Sequence, residues 1–182
     1  MPNWIEGSLR TKGKYEDVLC FYKEGLNCYD YSWRGSTQIV NGDYPKPRIK
    51  PKEEWLIIDE DHFDVDGREV RTAWIDILDR EDWAYVEGTR RAFIPGRIET
   101  HIREDKNGSA VGCGPVRQAW GFMPEDWAKL SEKYHIDIRL FGVESGMEFQ
   151  EYVEIINGEV IQNDVRIFDN FVWDCVFPWM GG

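Results

Sequence analysis

Asn157-Gly158 lies between two strand-like runs, Phe149–Ile156 and Glu159–Phe168. A type I′ two-residue turn between right-twisted strands needs positive φ at both central positions, and Asn-Gly supplies it with the least strain. The pair therefore closes a hairpin, and the chain must contain an antiparallel sheet. Just upstream, Ile136, Ile138 and Leu140 alternate with polar residues, the pattern of a strand with one buried face. Pro124 opens a helix in which Trp127, Leu130 and Tyr134 stand at i, i+3 and i+7. At the other end, Ile5 to Gly13 reads as a strand. Lys14 to Leu26 reads as a helix with Val18, Leu19, Phe21 and Tyr22 as its apolar residues and Gly25 at its end. Strand–helix first and helix–strand–hairpin last predict an α+β sandwich: one domain, 1–182, with a mainly antiparallel sheet and helices on one face.

The middle of the chain is less regular. Tyr44 to Lys52 carries three prolines and four basic residues in nine positions and should be an extended, exposed connection. Trp55 to Ile58 begins a strand. Asp66-Gly67 is a hairpin turn signal, while the period of Arg68 to Leu78 fits either a strand or a helix. Asp79 to Gly88 is expected as exposed acidic helix or loop. The apolar C-terminal stretch, Phe171 to Trp179, should pack back on the body.

Of the 182 residues 42% are hydrophobic and nine are Trp, which excludes a disordered chain. A domain of this length buries about 70% of the surface its unfolded chain exposes and needs no staples. The opening Met1 to Glu6 has neither a basic nor an apolar signal region, and nowhere do about 18 apolar residues run together. The expectation is a chain that stays in the cytoplasm, with Cys20, Cys28, Cys113 and Cys175 reduced. These cysteines form no C-x-x-C pair, so zinc is not expected.

The net charge of −12 is concentrated. Residues 53–87 hold thirteen acids and three Lys or Arg, whereas residues 1–52 hold six acids and nine Lys or Arg. A strong negative balance disfavours non-specific binding to phosphate backbones and favours a basic partner. Asp64-Val-Asp66-Gly67 resembles part of a calcium loop, but His62 and Ala73 occupy the positions where its further ligands belong. No phosphate-binding glycine loop occurs, and no cofactor is expected. Paired carboxylates at 59–69 could hold metal ions for phosphodiester cleavage, which leaves a metal-dependent nuclease as an alternative. A Cys113–His101 nucleophile–base pair would have to assemble across the fold, and Cys113, between Gly112 and Gly114, reads instead as part of a strand edge or turn.

Three stretches carry a family resemblance: Met1-Pro-Asn-Trp4 leading into a strand; Ala119-Trp120-Gly-Phe-Met-Pro124-Glu-Asp-Trp127; and Glu144-Ser-Gly-Met-Glu-Phe149. Together they resemble the ferredoxin-like domain of YubB-type proteins from phages, plasmids and other mobile elements. The resemblance spans residues 1–27 and about 90–168, leaves 28–89 as an inserted segment, and departs from the family at Ile5, where a Cys is usual. It implies a ferredoxin-like fold and a mobile-element origin, and no catalytic residues. Origin and charge then point together to a binding protein that inhibits a host nucleic-acid enzyme, an anti-CRISPR protein acting on a CRISPR effector nuclease. Its carboxylates would imitate phosphates in a basic cleft. The expected contact residues are Asp59, Glu60, Asp61, Asp64, Asp66, Glu69, Asp79, Glu81 and Asp82, with Tyr29, Tyr31 and Trp33 or Phe177 and Trp179 as alternative apolar anchors. An interaction domain with no defence role is the remaining alternative.

Overall fold

A computed structural model describes residues 3–30, 48–78, 83–95, 100–105 and 107–181. Strand β1 (Trp4–Lys14) runs into helix α1 (Tyr15–Glu24). Short strands β2 (Leu26–Asn27), β3 (Tyr29–Asp30) and β4 (Arg48–Ile49) follow. A long hairpin comes next, β5 (Leu56–Val65) and β6 (Arg68–Ile77), then β7 (Ala84–Val86) and β8 (Ala92–Ile94). The second half holds β9 (Thr100–Glu104), β10 (Ser109–Ala119), α2 (Pro124–Tyr134) and β11 (Asp137–Glu144). The chain finishes with β12 (Phe149–Ile156), β13 (Glu159–Ile167) and the one-turn α3 (Phe171–Asp174).

Every strand pair among the described residues is antiparallel, and the main sheet forks. Its principal path is β13-β12-β11-β1-β10-β8-β7-β2. The outer edge of β10 is shared, because Arg117 and Gln118 pair with β8 whereas Ala110 to Cys113 pair with β9. Beyond β9 come β6 and then β5. The centre of the sheet is thus β11-β1-β10-β9, with α1 connecting out of β1 and α2 joining β10 to β11.

Alternation along the strands explains where the core sits. In β1, Ile5, Leu9 and Thr11 are buried while Arg10 and Lys12 are exposed. Ile138 and Leu140 of β11, and Val153 and Ile155 of β12, lie on the same side as Leu9. Helix α1 supplies Tyr15, Val18, Leu19 and Tyr22 to that side, and α2 supplies Trp127, Leu130 and Tyr134, each set at helical spacing. The two buried stripes close one core, and the opposite face stays largely open.

The α+β, mainly antiparallel reading therefore holds, with both helices and the Asn157-Gly158 hairpin in their expected places. One open alternative closes, and two local expectations need correction. Arg68 to Ile77 is a strand, settled by its pairing with β5 and β9 rather than by its own period. The segment before Gly88 is not simply exposed, because Ala84 and Val86 are buried in β7. Cys113 is not at a strand edge or turn, since β1 and β9 both pair with β10 at that residue. The C-terminal stretch does pack back through Phe171 and Cys175, which contact Val143 and Phe168, but Val172, Trp173, Val176 and Trp179 remain exposed. Tyr31, Trp33 and residues 44–47 lie outside the described residues.

Candidate functional site

The acidic window is built around the β5–β6 hairpin. Asp66 (φ 55°) and Gly67 (φ 77°) form its turn, and the Gly67 N–H donates to Asp64 Oδ1 at 2.8 Å. Every residue from Asp59 to Glu69 is exposed, and this stretch carries six carboxylates and one Arg. Strand β5 pairs only with β6, so its outer edge is a free strand edge among the described residues. Carboxylates on such an edge also oppose unwanted strand addition, so part of this charge serves the fold.

Strand alternation distributes the predicted contact residues over two sides. Asp59 and Asp61 lie on the open face, in register with Trp74 and Thr72. Glu60 and Glu69 lie on the helix side. There Glu60 accepts from Lys23 Nζ at 2.9 Å and from the Tyr15 hydroxyl at 3.2 Å, and Glu69 meets His62 Nδ1 at 3.2 Å. The Lys23 ammonium holds the Glu60 carboxyl below its ordinary range, and burial, then Glu60, pushes the Tyr15 hydroxyl up to about 12. Asp59, Asp61 and Asp66 make no ion pair among the described residues. Asp79, Glu81 and Asp82 lie outside them. Among the described residues no three His, Cys, Asp or Glu come close enough to hold a metal ion.

A positive clamp fixes the root of the hairpin. Arg71 donates from Nη2 to Glu104 Oε1 at 2.9 Å and from Nε to Glu104 Oε2 at 3.1 Å, pairs with Glu16, and stacks 4.4 Å from the Tyr15 ring centroid. These bonds hold the Glu104 and Glu16 carboxyls below their ordinary range. They tie β6 to β9 and to α1.

The open face carries a surface that sequence reasoning missed. Arg10 stands directly opposite Arg139, and Lys12 and Arg103 flank Val111 on the neighbouring strands. Like charges directly opposite on paired strands are destabilising. Arg139 is offset by Glu154, which accepts from its Nε and Nη2 at 2.9 and 2.6 Å, whereas Arg10, Lys12 and Arg103 make no side-chain hydrogen bond or ion pair among the described residues. Two shallow depressions of about 220 and 290 Å³ lie along Arg10 and Arg139. The alternation of Arg10 and Lys12 was a legible signal, but net charge concealed it. Farther along the same face, Trp4, Trp83 and Phe93 meet edge to face, with centroids 5.9–6.0 Å apart, around Arg117. Burial pulls the Arg117 guanidinium down to about 10, and its Nε is buried without a partner.

The Cys113 and His101 backbones are cross-strand partners. Cys113 itself is exposed on the open face. No family model, curated protein or solved structure matches the chain.

Proposed function

We propose that this chain is a binding protein that inhibits a nucleic-acid-handling enzyme by seating the acidic β5–β6 hairpin in that enzyme's basic cleft. The observation that carries this reading is the run Asp59 to Glu69, exposed throughout, with Asp59, Asp61 and Asp66 free of ion pairs among the described residues. Carboxylates two residues apart on a strand stand about 7 Å apart, a spacing suited to groups that otherwise grip successive phosphates. Complementary charge also speeds encounter and rejects acidic partners. The mobile-element resemblance makes a CRISPR effector nuclease the partner of choice. It also carries a ferredoxin-like reading of the central unit: β1, α1, β9, β10, α2 and β11 follow in strand–helix–strand–strand–helix–strand sequence, which supports that reading. On it, residues 28–89 are an insertion that presents the hairpin.

The test is capture from a bacterial lysate, with mass spectrometry of what is retained. Wild type should retain a nucleic-acid enzyme, and the triple reversal Asp59→Lys, Asp61→Lys, Glu69→Lys should release it. Glu60 and Asp64 are left intact because they hold Lys23 and the turn. Retention unchanged by the reversal would overturn the reading.

A second reading has its own observation, the unrelieved Arg10 beside Arg139. On this reading the open face contacts a single nucleic-acid strand directly. Anisotropy of a labelled single-stranded oligonucleotide should then rise with protein and fall steeply with salt. No rise at low salt would dispose of it.

A further inference from the structure

The three stretches that carry the family resemblance, far apart in the chain, meet at one groove. Asn3, Trp120, Phe122, Met147 and Phe149 line it, with Val165 and Ile167 of β13 along its rim. Its volume of about 540 Å³ lies in the range of ligand sites. The walls are mostly apolar and unusually exposed for such side chains: Met147 is 66% and Ile167 75% accessible. On the floor is Glu151, 5% exposed, in register with Val165.

Glu151 is the feature that a purely structural groove does not explain. Its Oε2 accepts the Phe122 N–H at 2.9 Å. Its Oε1 has no hydrogen-bond partner among the described residues, yet it is not one of the sealed, unpaired atoms, so it opens into the groove it lines. A carboxyl in apolar surroundings is costly unless something answers its charge, and burial pushes this one above the ordinary glutamate range. The backbone bends to admit it: Trp120 (φ 66°) and Gly121 (φ 124°) both take left-handed conformations, and a Cβ on Gly121 would come within 3.3 Å of Glu151 Oε2. Trp120 is held from outside by Arg90 and Arg91, each 5.2 Å from its ring centroid.

We propose that this groove receives one basic side chain, the guanidinium or ammonium of an Arg or Lys presented by a partner protein, with Glu151 as its counter-charge. A cation is selected because Glu151 Oε1 offers an acceptor and negative charge at the end of an apolar channel, and aromatic walls favour cations. A metal ion is a poor fit to a single carboxylate with no second ligand. The wide apolar rim, Met147, Val165 and Ile167, matches the apolar residues that flank such a side chain in a polypeptide. A small free amine would leave that rim uncovered.

The probes are the capped peptides Leu-Arg-Leu and Leu-Gln-Leu, and free argininamide. Each is titrated into the full chain while the Trp120 indole N–H is followed by NMR. Leu-Arg-Leu should bind at least about tenfold more tightly than Leu-Gln-Leu, the scale of a hydrogen bond to a charged group. Glu151→Gln keeps an acceptor for the Phe122 N–H and removes only the charge, so it should bring the two peptides to parity. Met147→Lys, at an exposed position, should weaken Leu-Arg-Leu by placing a competing cation at the rim. Equal affinity of the two peptides for wild type, no Trp120 shift with either, or argininamide binding as tightly as Leu-Arg-Leu would each overturn the proposal. None of these outcomes depends on the hairpin.

Discussion

Trp127 and Gln118 complete one another in the core: the indole N–H donates to Gln118 Oε1 at 2.9 Å, and Gln118 Nε2 donates to the Arg90 carbonyl at 2.9 Å. Trp127→Phe leaves that buried acceptor unpaired and opens a void, and should cost about 2–4 kcal/mol in urea denaturation. Glu151 works in the opposite sense. A carboxyl raised by burial binds its proton more readily in the folded state, so it detracts from stability above its ordinary pKa and ceases to do so as pH falls. Glu151→Gln should therefore stabilise the fold at pH 7 by about 1 kcal/mol, since the neutral amide has no charge to desolvate. A lower melting temperature for this variant would show that the charge is already answered inside the chain. Glu104 and Glu16 have depressed folded-state values through Arg71, so their contribution is present above about 4.5, their ordinary value, and is lost as pH falls through the folded values. Arg71→Leu should flatten the acid limb of the stability–pH curve below that point. An unchanged limb would mean that other carboxylates set it.

At the scale of elements, the two tight hairpins invite a direct comparison. Gly67 and Gly158 both have positive φ, but a Cβ on Gly67 would meet nothing within 4 Å, whereas one on Gly158 would lie 3.0 Å from Glu132 Cβ on α2. Gly67→Ala should cost about 1 kcal/mol from backbone strain alone, and Gly158→Ala should cost clearly more, read as a shift of urea midpoint with unchanged slope. Equal costs would mean that β13 and α2 yield to one another. These hairpins, α1, α2 and β11 were legible because each is specified locally, by a turn dipeptide, a cap or a period. β6 was not, because its residues alternate only once β5 and β9 fix its pleat. Nor was the burial of β7, where Ala84 and Val86 are too small and too few to give a period. The acidic carboxylates were legible as a group but not by side. Adjacent acids such as Glu60 and Asp61 face opposite ways on a strand, and one of them is tied to Lys23.

At the scale of the molecule, a chain of net charge −12 separates its charges rather than mixing them. Cations gather on the middle of the open face at Arg10, Lys12, Arg103 and Arg139, and carboxylates crowd the hairpin at its margin. Composition gives the sum and hides this arrangement, which depends on the order β11-β1-β10-β9-β6-β5 and hence on pairings far apart in sequence. The groove over Glu151 was hidden for the same reason, since Asn3, Trp120 and Met147 become neighbours only in the fold. The role in inhibition proposed for the hairpin is tested most directly by target cleavage with purified, guide-loaded CRISPR effector nucleases. Each is assayed with wild-type chain and with the Asp59→Lys, Asp61→Lys, Glu69→Lys variant, at low salt and at 0.1 M and above. Wild type should inhibit at least one effector, the variant should lose at least tenfold in potency with its fold intact, and salt should weaken wild type as screening shortens to about 10 Å. Inhibition by the variant equal to wild type, or no inhibition of any effector by wild type, would contradict the proposed role.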